Sequence, residues 1–148
     1  MRTVVVGVGN TLMRDDGIGV CIARALMDAD LPKGVEAIDA GTSADAAYAL
    51  ASADRVLILD AARLGGPPGT VYRLTAEEAA LTGDGVRSCH DMGLVQTLRT
   101  VSAGPVVEVL GIEPKEIEWG IGLSAEVEAS VPHILQIVLQ ELKGSQCS

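Results

Sequence analysis

Acidic side chains follow three of the hydrophobic runs in this sequence, at the points where those runs end. Asp15 and Asp16 come shortly after Thr3–Val8, and Asp39 and Asp60 end the next two runs. The carboxyl ends of parallel strands meet at one edge of a sheet, where open α/β sheets bind their ligands. Each acid also has a simpler explanation, because carboxylates favour helix N-termini and cap loops. Acids delivered by three strands to one edge nevertheless favour a site over separate caps.

A histidine extends this acidic set toward metal chemistry. His90 lies in Ser88–Leu94, at the predicted start of a helix, from which it can reach the same crevice. With Asp16 and Asp60 it would supply one imidazole nitrogen and two carboxylate oxygens, which suits nickel or zinc and leaves positions open for another ligand. The sequence has no HExxH motif, and an isolated histidine is more often a surface or capping residue. The predicted site is therefore expected to bind metal more weakly than the site of a metalloprotease with a resident metal.

The turn after the first run begins like a dinucleotide-binding fingerprint. It reads Gly7-Val8-Gly9-Asn10-Thr11-Leu12, so Leu12 stands where the third glycine of the fingerprint would allow close helix packing. The acids that follow at Asp15 and Asp16 would repel a pyrophosphate. The indication of a nucleotide site is accordingly weak.

The elements that must position these residues alternate between strand and helix, which predicts an α/β fold. Thr3–Val8 and Arg55–Asp60 have the continuous apolar composition of buried parallel strands, and Val35–Asp39 is a shorter strand. Thr70–Leu74 alternates apolar and polar residues, as an antiparallel edge strand does. The remaining predictions are a last strand at 106–111, helices at 17–29, 44–51, 92–101 and 124–144, and a capping box formed by Thr75 and Glu78.

Length and composition limit the class of protein. The 148 residues fit one domain, predicted over residues 1–144, with a loose tail at 145–148. With no Phe and a single Trp, the core must be aliphatic. A formal net charge of −9 makes nucleic acid an improbable partner, because the basic residues are outnumbered and not clustered. The first apolar run is too short to span a membrane, so no membrane partner is expected.

The cysteines favour a reducing compartment. Cys21, Cys89 and Cys147 are odd in number, widely spaced and in no CxxC pair. This pattern argues against both a disulfide framework and a thiolate metal site. We therefore predict a cytoplasmic protein.

Taken together, these motifs resemble those of the hydrogenase maturation endopeptidases, which process the large subunit of [NiFe]-hydrogenases. Each string alone is weak, but their joint order and spacing are specific. The matching strings cover most of the chain and run in order as Gly7-Val8-Gly9-Asn10, Asp15-Asp16-Gly17-Ile18-Gly19, Asp39-Ala40-Gly41-Thr42, Leu59-Asp60-Ala61, Ser88-Cys89-His90, Gly93-Leu94, Gly111-Ile112-Glu113-Pro114 and Leu123-Ser124.

The resemblance implies a fold and an activity. The expected fold is a three-layer α/β structure, with a twisted, mostly parallel five-stranded sheet, one antiparallel edge strand and helices on both faces. The expected activity is that of an endopeptidase with no permanently bound cofactor. Such an enzyme recognises nickel already inserted in the immature large-subunit precursor and then removes a C-terminal extension.

The resemblance also implies roles for individual residues. The metal-contacting positions map onto Asp16, Asp60 and His90, and Asp39 is the candidate for assisting cleavage. The alternative reading is a non-enzymatic metal- or nucleotide-binding module built on the same open sheet.

Overall fold

The computed structural model describes residues 2–41, 53–75, 77–78 and 106–146. Its centre is a five-stranded sheet with the strand order β2-β1-β3-β5-β4. β4 pairs antiparallel with β5 at one edge, and the other pairings are parallel. The predicted mostly parallel sheet with an antiparallel edge strand is confirmed. The strands are β1 Thr3–Val8, β2 Val35–Gly41, β3 Arg55–Ala61, β4 Val71–Thr75 and β5 Val106–Ile112.

The central strands are covered on both faces, as their continuous apolar composition predicts. Every residue of β1 and of β3 is buried. Side chains alternate between the two faces of a strand, so Val4 and Val6 join one apolar cluster while Val5 joins another. Such strands read as unbroken apolar runs because neither face meets water.

Two α-helices are described, and both belong to the same face of the sheet. α1, Ile18–Met27, and α2, Ala125–Gln146, pack on each other and contribute to the cluster that contains Val5. α1 buries Ile18, Ile22 and Leu26 completely, and each such side chain stabilises the fold by about 1.5–3 kcal/mol. The helices predicted at 44–51 and 92–101 lie outside the described residues. No helix in the described part of the chain is long and apolar enough to cross a bilayer.

Two local predictions can be compared with the structure. The capping box is confirmed, since the Glu78 amide donates to Thr75 Oγ1 over 3.0 Å and the Thr75 amide donates to Glu78 Oε1 over 3.2 Å. The final helix, however, continues to Gln146, so residues 145 and 146 are helical and not part of a loose tail. Gly144 ends a helix readily only with a positive φ, and it is not among the glycines with that conformation.

The strand order locates the crevice. β2 and β3 flank β1 on opposite sides, so the direction of chain winding reverses between β1 and β3. In open α/β sheets ligands bind beyond the carboxyl ends of the strands at this reversal. Asp16 lies in the segment that leaves β1 here, and Asp60 is the penultimate residue of β3.

Candidate active site

Glycines allow α1 to begin directly against the carboxyl ends of β1 and β3. A Cβ added to Gly19 would lie 2.1 Å from the Leu59 carbonyl oxygen and 2.8 Å from that of Val8. Only glycine permits an approach this close. The 3-10 turn Arg14–Gly17, which immediately precedes α1, contacts β3. The turn that carries Asp15 and Asp16 is therefore placed at the same edge of the sheet as Asp60.

Asp16 is held by the glycine-rich turn that follows β1. It is 6% exposed, and its Oδ2 accepts a hydrogen bond of 2.9 Å from the Asn10 amide. Gly9 has a φ of +127°, and a Cβ there would meet the Asp16 carbonyl oxygen at 2.0 Å. Gly9 and Asn10 thus pack closely against Asp16. Because the Asn10 amide already serves a carboxylate, the structure also argues against a phosphate at this turn.

Asp60 is buried at the end of β3, with 2% of its surface exposed. Its Oδ1 accepts a 2.8 Å hydrogen bond from the adjacent Ala61 amide. Along β3 it shares a face with Val56 and Ile58. Asp60 is thus a buried carboxylate near the carboxyl end of a central strand, where open α/β sheets bind their ligands.

The third predicted metal contact, His90, lies outside the described residues. Within ranges 2–41, 53–75, 77–78 and 106–146, no cluster of three His, Cys, Asp or Glu side chains is arranged to hold a metal ion. The structure therefore brings Asp16 and Asp60 to one edge and leaves the complete set a prediction.

Asp15, unlike Asp16, joins distant segments of the chain and is a structural anchor. It is completely buried. Its Oδ2 accepts bonds from the amides of Lys115 and Glu116 at 2.9 and 2.8 Å and from Ser124 Oγ at 2.7 Å. Its Oδ1 accepts a 2.7 Å bond from the Ser124 amide. Burial alone would raise the pKa of Asp15, but these hydrogen bonds to the charged form outweigh it and lower the pKa.

The same hydrogen bonds reach the final helix. Ser124 directly precedes α2, and its hydroxyl donates to Asp15. This contact ties the start of α2 to the turn at the crevice. Sequence reasoning missed it because the two residues are 109 positions apart.

Asp39, the candidate for assisting cleavage, lies on the outer strand β2 in register with Gly7. Its Oδ2 accepts a 2.7 Å bond from Arg24 Nε of α1, and its side chain is 24% exposed. Asp39 alternates with Ile38 and Ala40, which pack in the cluster on the other face, so it is directed to the α1 side. β1 separates β2 from β3, which places Asp39 about 10 Å from β3 across the sheet.

Glu113 is a buried acid that sequence reasoning quoted only as part of a motif. Its Oε1 accepts bonds from three successive amides, those of Leu64, Gly65 and Gly66, at 2.8, 2.9 and 3.1 Å. Tyr72 donates its hydroxyl to the same oxygen over 2.8 Å. Burial and this bond to Glu113 raise the pKa of Tyr72. Glu113 thus fixes the loop that follows Asp60, and the turn-forming Gly65-Gly66 pair was the signal for that loop in the sequence.

Known proteins are similar to this chain over nearly its whole length. The family model for hydrogenase maturation proteases matches residues 20–141. The hydrogenase 2 maturation protease of Escherichia coli strain K12 is 36% identical over 152 aligned positions, which cover 98% of this chain and 93% of that protein.

Solved structures agree with the sequence comparison. The hydrogenase maturating endopeptidase HybD of E. coli superposes with a TM-score of 0.85 at 34% identity, covering 98% of this chain and 94% of that one. The [NiFe]-hydrogenase maturation protease HybD of Thermococcus kodakarensis gives 0.76 at 30% identity, covering 96% and 99%.

The chain belongs to the hydrogenase maturation protease family. It is accordingly a peptidase, and the alternative of a non-enzymatic binding module is set aside.

Proposed function

We propose that this protease recognises nickel in the immature large subunit of a [NiFe]-hydrogenase and then removes the C-terminal extension of that subunit. The observation that carries the proposal is the pair of buried carboxylates, Asp16 and Asp60, at the strand reversal of the sheet. The family and the names of the E. coli and T. kodakarensis relatives support hydrogenase maturation as the process.

The nickel is part of the substrate in this proposal. Asp16, Asp60 and His90 would contact it with two oxygens and one nitrogen, while the large subunit supplies the remaining ligands. Asp16 supports this role, because its carboxylate accepts one hydrogen bond from the described residues and retains capacity for another partner. Binding a metal held by the precursor would fix the scissile peptide near the enzyme. Nickel insertion would thereby control when the precursor is cut.

Asp39 is proposed to assist the cleavage step, which would make the enzyme an aspartyl-type endopeptidase. Its carboxylate is accessible at the carboxyl end of β2 and can accept a proton from an attacking water. The ion pair with Arg24 restrains this carboxylate to one orientation. An exposed pair of this kind contributes only about 0–1 kcal/mol to stability, so its cost to the fold is small if substrate binding rearranges it.

We further propose that the reaction takes place in the cytoplasm and that the free enzyme carries no resident metal. A half-buried free thiol at Cys21 supports a reducing compartment. The two described carboxylates without a thiolate ligand support weak metal binding in the absence of substrate.

The decisive experiment compares nickel-loaded and nickel-free large-subunit precursor as substrates for the purified protein. Mass spectrometry of the product would identify a single cut near the C-terminus. We expect cleavage of the nickel-loaded form only. Equal cleavage of both forms would contradict nickel recognition, and cleavage at scattered sites would contradict a maturation role.

A further inference from the structure

Exposed apolar side chains are concentrated beside the candidate active site. Six large apolar residues are exposed in the described part of the chain, and three of them are Leu12, Trp119 and Ile121, with 52%, 78% and 85% of their surface exposed. Trp119 is also the only tryptophan in the sequence. Single exposed apolar residues need no explanation, but a cluster of them marks an interaction site.

These three residues come together across one backbone contact. Met13 and Gly120 form an isolated parallel β-bridge. The Gly120 amide donates to the Leu12 carbonyl over 2.9 Å, and the Arg14 amide donates to the Gly120 carbonyl over 3.1 Å. Leu12 is adjacent to one bridge residue, and Trp119 and Ile121 flank the other. We refer to Leu12, Trp119 and Ile121 as the apolar rim.

The rim is held firmly although it is exposed. The loop that carries Trp119 and Ile121 is fixed at both ends by Asp15, which accepts the amides of Glu116 and Ser124. Arg14 also pairs with Glu116 at 3.0 Å. Arg14 has a φ of +49°, a left-handed conformation that a non-glycine residue adopts at a cost. Exposed apolar groups on such a strained and anchored support are preorganised for a partner, which reduces the entropy lost on binding.

The position of the rim identifies the class of partner. Asp15, which anchors the rim, is adjacent in sequence to Asp16, the proposed nickel contact. A peptidase must bind a polypeptide, and a surface continuous with its metal-recognition site is covered when that polypeptide is engaged. Tryptophan is enriched among the residues that dominate protein interfaces, because it offers a large rigid apolar area. The two acids Glu116 and Glu118 beside Trp119 favour a segment without negative charge.

We propose that the apolar rim is the docking surface for an apolar segment of the large-subunit precursor that carries no negative charge, next to the nickel that Asp16 would contact. This inference rests on the proposed function, since it assigns the precursor to the same site. It predicts that the rim contributes to substrate affinity and not to the chemical step.

The test uses the triple variant Leu12→Ser, Trp119→Ser, Ile121→Ser of the full chain with nickel-loaded precursor. Its matched control is Met27→Ser, Val106→Ser, which removes apolar groups of 54% and 61% exposure away from the rim. We expect the triple variant to raise KM by about tenfold or more, as the loss of interface hot spots does, while kcat at saturation stays unchanged. The control should match the wild type in both. A triple variant with the KM of the wild type overturns the proposal.

A second measurement reports docking without cleavage. Because Trp119 is the only tryptophan, labelling with 5-fluorotryptophan gives one fluorine resonance from the enzyme. We expect unlabelled precursor to shift this resonance. If dilution of the enzyme alone shifts it and precursor does not, the rim is a contact between two copies and the proposal is wrong.

The two measurements separate this inference from the proposed function. A wild-type enzyme whose Trp119 resonance responds to precursor, but which cleaves nickel-loaded and nickel-free forms alike, contradicts nickel recognition and supports the docking surface. Nickel-dependent cleavage by the wild type would support nickel recognition. An unresponsive Trp119 resonance together with an unchanged KM in the triple variant would contradict the docking surface.

Discussion

Asp15 and Asp16 are neighbours in one turn, and both are buried, yet their surroundings differ. The Asp15 carboxylate accepts four hydrogen bonds, which come from Lys115, Glu116 and both donors of Ser124. The Asp16 carboxylate accepts one hydrogen bond from the described residues, donated by Asn10. A carboxylate has about four acceptor positions, so donors in the described part of the chain fill those of Asp15 but only one of those of Asp16.

This difference is consistent with a structural role for Asp15 and with the metal contact proposed for Asp16. A saturated carboxylate holds two segments together, whereas an unsaturated one at the crevice can bind a metal or substrate. On spacing alone either aspartate, or neither, was a candidate for the site. Variants of these aspartates and of their neighbours test whether saturation by hydrogen bonds distinguishes an anchor from a binding residue.

The largest effect is expected for the three proposed metal contacts. Asp16→Ala, Asp60→Ala and His90→Ala should each abolish processing of nickel-loaded precursor. The loss should exceed the 10–100-fold typical of an outer-shell partner of a metal. Precursor cleavage and thermal melting are measured on the same proteins, which should remain folded.

The competing explanations predict a different result. An Asp60 that only caps a loop would cost about 1 kcal/mol of stability on replacement and leave activity largely intact. If His90 were only a surface residue, its replacement would change stability and activity very little. Cleavage at near the wild-type rate in any of the three variants would remove that residue from the metal site.

Asp39 is a third kind of carboxylate, since it forms an ion pair with Arg24 but remains accessible to solvent. Asp39→Asn should leave precursor binding intact and lower kcat by about a hundredfold, the lower end of the effect of a general acid or base. Arg24→Gln removes the ion-pair partner and is the matched control, because a purely structural pair would respond equally to either change. Single-turnover cleavage and equilibrium binding are measured for both variants. If Asp39→Asn loses binding and cleaves normally at saturation, its assigned role is wrong.

Much of the fold follows from local patterns that the sequence displays. The unbroken apolar runs of β1 and β3 predicted central strands. The alternation in Thr70–Leu74 predicted the antiparallel edge strand, which the structure forms at Val71–Thr75. Thr75 and Glu78 predicted their own capping box. These features depend on residues a few positions apart, so composition and periodicity are sufficient to find them.

The contacts that build the site were less predictable. Asp15 binds residues about 100 positions away, and Glu113 binds a loop 47–49 positions away. No periodicity reports such contacts, since they depend on how separate elements pack. The order of acids along strand ends predicted the sheet edge where both Asp16 and Asp60 lie, but not which of the paired aspartates is an anchor.

The anchor should be visible in stability. Asp15→Asn should lower the free energy of unfolding by about 3 kcal/mol, because its amide group would face the amides of Lys115 and Glu116 and leave buried donors unsatisfied. Asp30→Asn at an exposed position is the control and should be nearly neutral. Urea denaturation of each variant measures the difference.

The contribution of Asp15 to the free energy of unfolding should also depend on pH in a definite direction. The pKa of Asp15 is lowered in the folded state, so the charged form stabilises the fold above the pKa of the unfolded chain. This stabilisation is lost as the pH falls through the folded pKa. The difference in unfolding free energy between the wild type and Asp15→Asn should therefore be constant near neutral pH and shrink in acid. A difference that grows in acid would contradict the anchor.

The smallest effect is expected for metal binding by the enzyme alone. Asp16, Asp60 and His90 would give an incomplete coordination shell with no thiolate, so the free protein should bind nickel weakly and lose it on dialysis against a mild chelator. Equilibrium dialysis should show that Asp16→Ala weakens this binding further, while folded Asp15→Asn binds as the wild type does, because the saturated aspartate has no free acceptor to offer. Crystals grown with cadmium or zinc should nevertheless place an ion between Asp16, Asp60 and His90, since high concentration compensates for low affinity. Stoichiometric nickel that survives the chelator would mean a resident metal, and the nickel would then not be delivered by the substrate.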